Sequence, residues 1–381
     1  MKIIIIASRD VLSLASGASR RVFELAKGLH SCGASVYVLH HGITKPLNNN
    51  FKFIHFKSYP LSEASNYLHP LNPFYPTQLH NFLRNYNPDI IQCEQPWSAF
   101  PTLLFARNFQ IPCVLDEHNV EFVWTMYASK APFLAPVNFA LEKFALYHSS
   151  LILATSEMDK RLLAQTYKIS DEKILVIPNG VDTKRFLGIS SNKLQLKERL
   201  GLNPTRKIVL FHGIMSARQN YEAARLILDF IAPTILDATF LIIGKNPPRW
   251  LQVEAKSQKN VRVLGYAQNI EEYIMAADIC IAPILRGGGT RLKVLEYAAA
   301  GKPMVATFKA VEGLGMSDKV HGLFYKSVNE EFISGIRRLL KCDQLAQELG
   351  WNARQLARKY DWTLIGKKLY ETYCRLIDQH V

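Results

Sequence analysis

Ile279-Cys280-Ile281-Ala282-Pro283-Ile284-Leu285-Arg286-Gly287-Gly288-Gly289-Thr290-Arg291-Leu292-Lys293-Val294-Leu295-Glu296-Tyr297-Ala298-Ala299-Ala300-Gly301-Lys302-Pro303 changes character twice along its length. The short apolar run ending at Pro283 reads as a buried strand. Three glycines then free the backbone, and Thr290 is placed to cap a helix running to Ala300. Gly301 supplies the left-handed stop, with Pro303 just beyond it. Strand, glycine turn and helix in that order form the repeating unit of parallel α/β sheets.

The same unit recurs elsewhere. Lys2-Ile3-Ile4-Ile5-Ile6-Ala7 is a buried strand candidate, followed by the turn Ser16-Gly17-Ala18-Ser19. An amphipathic helix comes next, with Val22, Leu25, Ala26 and Leu29 on one face and Gly33 closing it. Lys207-Ile208-Val209-Leu210-Phe211-His212-Gly213 is an apolar strand with a glycine at its carboxyl end, ahead of a helix from about Tyr221. Further short buried strands are read at 89–93, 112–115, 151–154, 240–244 and 261–265, separated by helical stretches. These alternations predict two Rossmann-like domains with a cleft between them. The boundary falls within 178–204, where Pro, Gly, Asn and Ser cluster near a short charged helix at 194–200. Residues 344–377 read as helical with a break at Lys359-Tyr360-Asp361-Trp362.

Composition excludes several classes. With 48% hydrophobic and 20% charged residues in 381, the chain can bury two cores and is not disordered. No apolar run approaches the ~20 residues of a membrane span, and the apolar opening stops at Ser8-Arg9-Asp10, too soon for a signal-peptide core. Six cysteines lie scattered without a C-x-x-C pair, so reduced thiols and a cytoplasmic location are expected, with neither a disulfide framework nor a zinc site. The formal net charge is +14, and 30 of the 46 basic residues fall after residue 180. Such an excess attracts polyanions: nucleic acid, anionic lipid or the phosphates of a small ligand.

In open α/β sheets ligands sit beyond the carboxyl ends of the strands. The glycine loop before the 290–300 helix offers backbone N–H groups to an anion, with the helix dipole behind them. Lys293 and Glu296 are three apart and share a helix face. A cation and amides for a diphosphate, beside a carboxylate for paired ribose hydroxyls, match the chemistry of a nucleotide-sugar. A flexible turn carrying a surface salt bridge is the plainer alternative. The loop is neither a Walker motif nor G-x-G-x-x-G.

In the first half, Asp116-Glu117-His118-Asn119-Val120-Glu121 follows a strand ending at Leu115. This places His118 at a strand end, with Glu117 and Glu121 positioned to tune its charge; a structural histidine is the alternative. Glu94 also follows a strand. The segment from Trp124-Thr125-Met126-Tyr127 through Phe133, Phe139, Phe144 and Tyr147, with Lys130 and Lys143, suits either a membrane interface or a helical core. Residues 51–76 read as a loop on the acceptor side.

Ile177-Pro178-Asn179-Gly180-Val181-Asp182, Phe211-His212-Gly213-Ile214-Met215, the glycine loop with its helix, Met304-Val305-Ala306-Thr307 and Tyr360-Asp361-Trp362 occur in an order that resembles the family 4 glycosyltransferases of the GT-B fold, within the group 1 glycosyltransferases. The resemblance covers nearly the whole chain. It implies an α/β protein of two Rossmann-like domains whose parallel sheets face each other across a cleft. These would be 1–185, with the C-terminal helix of about 361–381 crossing back to it, and a nucleotide-sugar-binding domain at 186–360. It further implies transfer of a sugar from a nucleotide-sugar to a hydroxyl acceptor, such as a glycan or lipid-linked saccharide, with retention of anomeric configuration. Glu296 is then expected on the ribose and Lys293 near the phosphates. Gly213, Gly265, Tyr266, Gly288, Gly289 and Thr290 complete the donor-binding set. His118 is expected at the donor sugar near the reacting carbon, with Ser16, Gly17 and Asn119 on the acceptor side.

Two positions depart from the family pattern: Gly288 stands where a first glutamate is usual, and Ile214 where an arginine is. Arg218, Arg291 and Lys293 are the alternative phosphate partners. No D-x-D pair occurs, so transfer without metal is expected, with no cofactor beyond the donor. No nucleic-acid-binding module is recognisable. A peripheral location at the inner membrane face fits a lipid-linked acceptor. Two other readings remain: a nucleotide-sugar epimerase of the same architecture, and a non-catalytic sugar-binding protein built on it.

Overall fold

The computed structural model describes residues 1–8, 10–12, 16–41, 51–57, 71–127, 131–190 and 192–379. The chain divides into two compact units, Met1–Asn179 with Trp362–Val381, and Gly180–Asp361. Each is a Rossmann-like α/β unit built on a wholly parallel sheet.

In the first unit the strands are β1 (Lys2–Ala7), β2 (Ser35–His40), β3 (Lys52–His55), β4 (Ile90–Glu94), β5 (Cys113–Glu117), β6 (Leu151–Ala154) and β7 (Ile174–Val176). They pair in the order β3-β2-β1-β4-β5-β6-β7. Every residue of β4 and β5 is buried, as expected of central strands covered by helices on both faces. Strand order reverses between β1 and β4, and the carboxyl ends at such a reversal are where doubly wound sheets bind ligands. The helix Gly17–Ser31 buries Val22, Leu25, Ala26 and Leu29 as the periodicity requires. It meets the C-terminal helix Trp362–Asp378 at a pair of glycines. A Cβ on Gly28 would stand 2.7 Å from the Gly366 Cα, so the two backbones touch there.

In the second unit β8 (Lys207–His212), β9 (Ala238–Ile243), β10 (Val261–Leu264), β11 (Ile279–Ala282), β12 (Met304–Thr307) and β13 (Leu323–Tyr325) pair in the order β10-β9-β8-β11-β12-β13. The reversal lies between β8 and β11, the strands that carry the His212-Gly213 end and the glycine loop.

Several local expectations are corrected. Residues 51–76 are not one loop: β3 and the helix Tyr75–Tyr86 occupy its ends, while 58–70 lie outside the described residues. β5 runs on to Glu117 rather than ending at Leu115. Ser16-Gly17-Ala18-Ser19 is not a free turn. Ser16 is the N-cap, accepting from the Ser19 N–H at 3.1 Å, and Gly17–Ser19 are already helical. The helix after β8 begins at Arg218, not Tyr221. The C-terminal break is a 3-10 turn, Arg358–Tyr360, between the helices Asp343–Ala357 and Trp362–Asp378.

Candidate functional site

The second unit assembles a basic cradle at its strand reversal. β8 ends at His212, and Gly213 follows with φ +155, where a Cβ would lie 2.6 Å from the Lys293 Nζ and 2.7 Å from the Asn220 Nδ2. Only a glycine leaves that space to the two side chains. Lys293, in the first turn of the helix Leu292–Ala299, donates to the Asn220 Oδ1 at 2.6 Å and stands 4.2 Å over the Phe211 ring. Asn220 donates in turn to the Ile214 carbonyl at 2.9 Å. Burial pulls the Lys293 amine down to about 7, and the nearby Arg291 charge lowers it further against the opposing Glu296. An amine held near 7 without a buried carboxylate of its own is one that an arriving anion would recharge.

Glu296, one turn further along, has its Oε2 3.2 Å from the His212 Nε2. The His212 ring packs edge-on against Tyr297, whose hydroxyl accepts from the His212 backbone N–H at 3.2 Å. His212 and Asn220 were not foreseen in the sequence. Their only signal is position, at the strand end and in the first turn of the next helix.

The glycine loop differs from its expected form. Arg291 rather than Thr290 is the N-cap, and it makes no side-chain cap bond. Its guanidinium turns back on the loop, donating to the carbonyls of Gly288, of Gly289 at 2.8 Å and of Arg286 at 3.3 Å. Arg291 thus holds the loop's shape from within, while Gly287 and Gly289 take left-handed φ values of +109 and +67. Gly301 ends the helix at φ +66, as its position implied. Arg218 opens the helix that carries Asn220, pairs with Glu222 along it at 3.0 Å and is half exposed. Gly265 accepts from the Gly244 N–H at 3.1 Å, and Tyr266 beside it is 75% exposed.

The first unit concentrates buried charge at the ends of β4 and β5. These strands are parallel neighbours with Glu94 opposite Asp116, so two carboxylates lie side by side. Arg21, wholly buried on the helix Gly17–Ser31, clamps Asp116 with bonds of 2.8 and 2.7 Å. The His118 Nε2 lies 2.7 Å from the Glu94 Oε2 and 3.6 Å from Asp116. Burial alone would raise Asp116, but the Arg21 charge, the nearby His118 and the bonds from Arg21 hold it well below the usual carboxylate range. Burial and the Asp116 charge push Glu94 up. Three ligand-type atoms of Glu94, Asp116 and His118 lie within 4.8 Å of one another, yet Arg21 occupies both Asp116 oxygens, so the group is a closed ion network.

The partners foreseen for His118 are therefore wrong in detail. Side chains alternate along a strand, so Asp116 faces Glu94 and Arg21, while Glu117 faces the opposite side. There burial and the charges of Glu142 and Glu121 raise Glu117 well above its ordinary value. Glu121 instead accepts from Gln95 at 2.7 Å and Asn119 at 3.3 Å.

Two Rossmann-like units, each on a wholly parallel sheet, are the architecture of the GT-B glycosyltransferases. The model of Glycosyltransferase Family 4 matches residues 15–185, and that of Glycosyl transferases group 1 matches 206–342. The chain belongs to this family. Alpha-monoglucosyldiacylglycerol synthase of Acholeplasma laidlawii is 24% identical over 98% of this chain and 97% of its own. The N,N'-diacetylbacillosaminyl-diphospho-undecaprenol alpha-1,3-N-acetylgalactosaminyltransferase of Campylobacter jejuni is 28% identical over 84% of this chain and 85% of its own. A UDP-Gal:alpha-D-GlcNAc-diphosphoundecaprenol alpha-1,3-galactosyltransferase of Escherichia coli is 27% identical, the match spanning 60% of each chain. Among solved structures, sucrose-phosphate synthase of Thermosynechococcus elongatus superposes with TM-score 0.84 at 19% identity over the full length of both chains. Anabaena HepE in complex with UDP and glucose superposes with TM-score 0.79 at 17% identity, over 98% of this chain and 100% of that one.

Proposed function

We propose that the protein is a retaining, metal-independent hexosyltransferase that takes its sugar from a nucleotide-sugar. The observation that carries this reading is the Lys293–Asn220–Gly213 cradle, a buried amine with depressed basicity beside a helix N-terminus. In this reading Lys293 and the first-turn N–H groups of its helix bind the diphosphate and stabilise the charge that develops as it leaves. Glu296 accepts from the ribose hydroxyls. Uridine is the first base to test, because relatives and structural neighbours are named for UDP or UDP-galactose. Gly288, Gly289, Thr290 and Arg291 from the loop after β11, Gly265 and Tyr266 after β10, Gly213 and Arg218 form the rest of the donor set, while Ser16, Gly17 and Asn119 are assigned to the acceptor. His118 is assigned to the sugar.

The test is a thermal-shift and calorimetric screen of nucleotide-sugars in a chelator. A donor at 100 times its Kd should stabilise the fold by about 2.7 kcal/mol. Lys293 sits near 7 when the site is empty, and an adjacent diphosphate raises that value. Binding above pH 7 should therefore take up a proton, and affinity should fall as pH rises through 7 toward the raised value. Titrations in buffers of different ionisation enthalpy read this directly. Absence of binding by every donor, or donor binding that requires a divalent ion, would overturn the reading.

For the acceptor we propose a lipid-linked hydroxyl compound reached at a membrane surface. Three of the relatives above are named for a diacylglycerol or a diphospho-undecaprenol compound. The packed helices Gln95–Ala106 and Ala135–His148 expose Leu104, Phe105 and Val137, and Phe133 just ahead of the second is 76% exposed. Co-sedimentation with vesicles containing phosphatidylglycerol should weaken several-fold in a Phe133→Ser, Val137→Ser variant; an unchanged bound fraction would count against this surface. Lys130 lies outside the described residues. No helix among the described residues is long and apolar enough to cross a membrane.

A further inference from the structure

A chain of buried hydrogen bonds runs from the last helix of the protein to His118. The Tyr373 hydroxyl donates to the Gln92 Oε1 at 2.6 Å, and the Gln92 Nε2 donates to the Glu94 Oε1 at 2.6 Å. The other Glu94 oxygen, Oε2, meets the His118 Nε2 at 2.7 Å. Gln92 and Glu94 are two apart on β4 and so share a sheet face, the same face that Asp116 and Arg21 occupy. Every member is buried. With Nε2 engaged, Nδ1 is the ring atom left over. It is fully buried from water and meets no hydrogen-bond partner among the described residues.

The charges of the described residues point to what Nδ1 carries. Among those residues, the ionisable groups of the His118 cluster are Arg21 from the helix Gly17–Ser31, Glu94 from β4, Asp116 from β5 and Tyr373 from the helix Trp362–Asp378. One cation, Arg21, cannot balance two carboxylates. Burial without balance is strongly unfavourable, so the cluster takes one more proton. That proton either makes His118 an imidazolium or sits on Glu94 and is donated to Nε2. In the first case both ring nitrogens carry hydrogen; in the second the neutral ring must be the Nδ1–H tautomer. Both states leave Nδ1 a donor. The direction of titration agrees: burial lowers His118, but the nearby Asp116 carboxylate and the bond to Glu94 raise it above the ordinary imidazole value.

We propose that Glu94, anchored through Gln92 by Tyr373, is a positioning residue that makes the His118 Nδ1–H a fixed hydrogen-bond donor toward a hydroxyl of the sugar substrate. This rests on the sugar-transfer reading, and it adds the atom, its protonation and the groups that impose both. It also gives the C-terminal helix a functional link to His118, beyond closing the first unit.

Imidazole nitrogen NMR of the full chain, with His118 assigned by a His118→Gln variant, tests the proposal without substrate. Wild-type Nδ1 should be protonated at pH 7, and the His118 titration midpoint should lie above that of an ordinary histidine. Glu94→Gln removes the charge and leaves a single amide oxygen to serve either Nε2 or Gln92, so the midpoint should fall by about one pH unit or more. Tyr373→Phe frees Gln92 and should move the midpoint in the same direction by less; it carries the test if Glu94→Gln fails to fold. An unprotonated wild-type Nδ1 at pH 7 would overturn the proposal, as would a midpoint unmoved in every folded variant. UDP binding measured on the same samples separates the two claims. Failure of nucleotide binding with Nδ1 protonated sinks the transfer reading; nucleotide binding with Nδ1 bare sinks this one.

Discussion

Lys293→Ala should lower donor affinity by about two to three orders of magnitude while leaving the protein folded. Removing one partner of a buried, hydrogen-bonded charge pair costs about 2–5 kcal/mol, and the Lys293 amine is a buried cationic group at the strand reversal of the second unit. Stability of the empty protein should change far less, because two contributions oppose. The Asn220 Oδ1 loses its donor, at a cost of about 1–3 kcal/mol, whereas a cation disfavoured by burial is also removed. Calorimetry on the folded variant decides the matter. Affinity within threefold of wild type would remove Lys293 from the site. Glu296→Ala should be comparably damaging to nucleotide binding. Glu296 pairs with His212 and its charge only partly offsets the lowering of Lys293, so its removal should lower the empty-site value further and the proton uptake assigned to Lys293 should survive in that variant at saturating donor.

Gly244→Ala should damage both fold and binding without touching any ligand. A Cβ at this position would lie 1.8 Å from the Gly213 carbonyl oxygen and 2.8 Å from the Met215 Cε. The first neighbour is backbone and cannot rotate aside. Gly213 and Met215 are tied to the same segment by bonds from their N–H groups to the Ile243 and Lys245 carbonyls, each 3.0 Å. Any shift that relieves the clash therefore moves the loop that seats Lys293 and Asn220. Overpacking of this kind costs about 1–3 kcal/mol, and displacing the cradle should reduce donor affinity about tenfold or more. Gly188→Ala is the control: a Cβ there meets nothing within 4 Å, and its melting temperature should match wild type. A Gly244→Ala protein that melts with wild type would show the junction to be softer than its geometry implies.

How much of this was legible beforehand depended on the range of the interaction. β1, β8 and β11 were readable because each is a continuous apolar run followed by a glycine-bearing turn and a periodic helix. β7 and β13 have three residues each, and β3 has four with polar ends. Such edge strands carry too little pattern to stand out, and they become strands because a neighbouring strand offers them a ladder. Lys293 and Glu296 were found because one helix places them three residues apart. Asn220, 73 residues from Lys293 in sequence, was not.

The error over His118 has the same origin. Glu117 and Glu121 are its neighbours along the chain, but strand alternation turns Glu117 away. Glu94 comes instead from an adjacent strand 24 residues back, and Arg21 reaches the same cluster through Asp116.

The sequence by itself determined the repeating strand–turn–helix units, the family, the left-handed stop at Gly301 and the lysine and glutamate of one helix face. All are properties of contiguous residues. Only the tertiary structure decided the strand orders, the inward turn of Arg291, the seating of Lys293 on Asn220 and the ion network around His118. Those depend on which distant segments become neighbours. Burial at those meeting points then sets the charge on each side chain, and local sequence does not encode that burial.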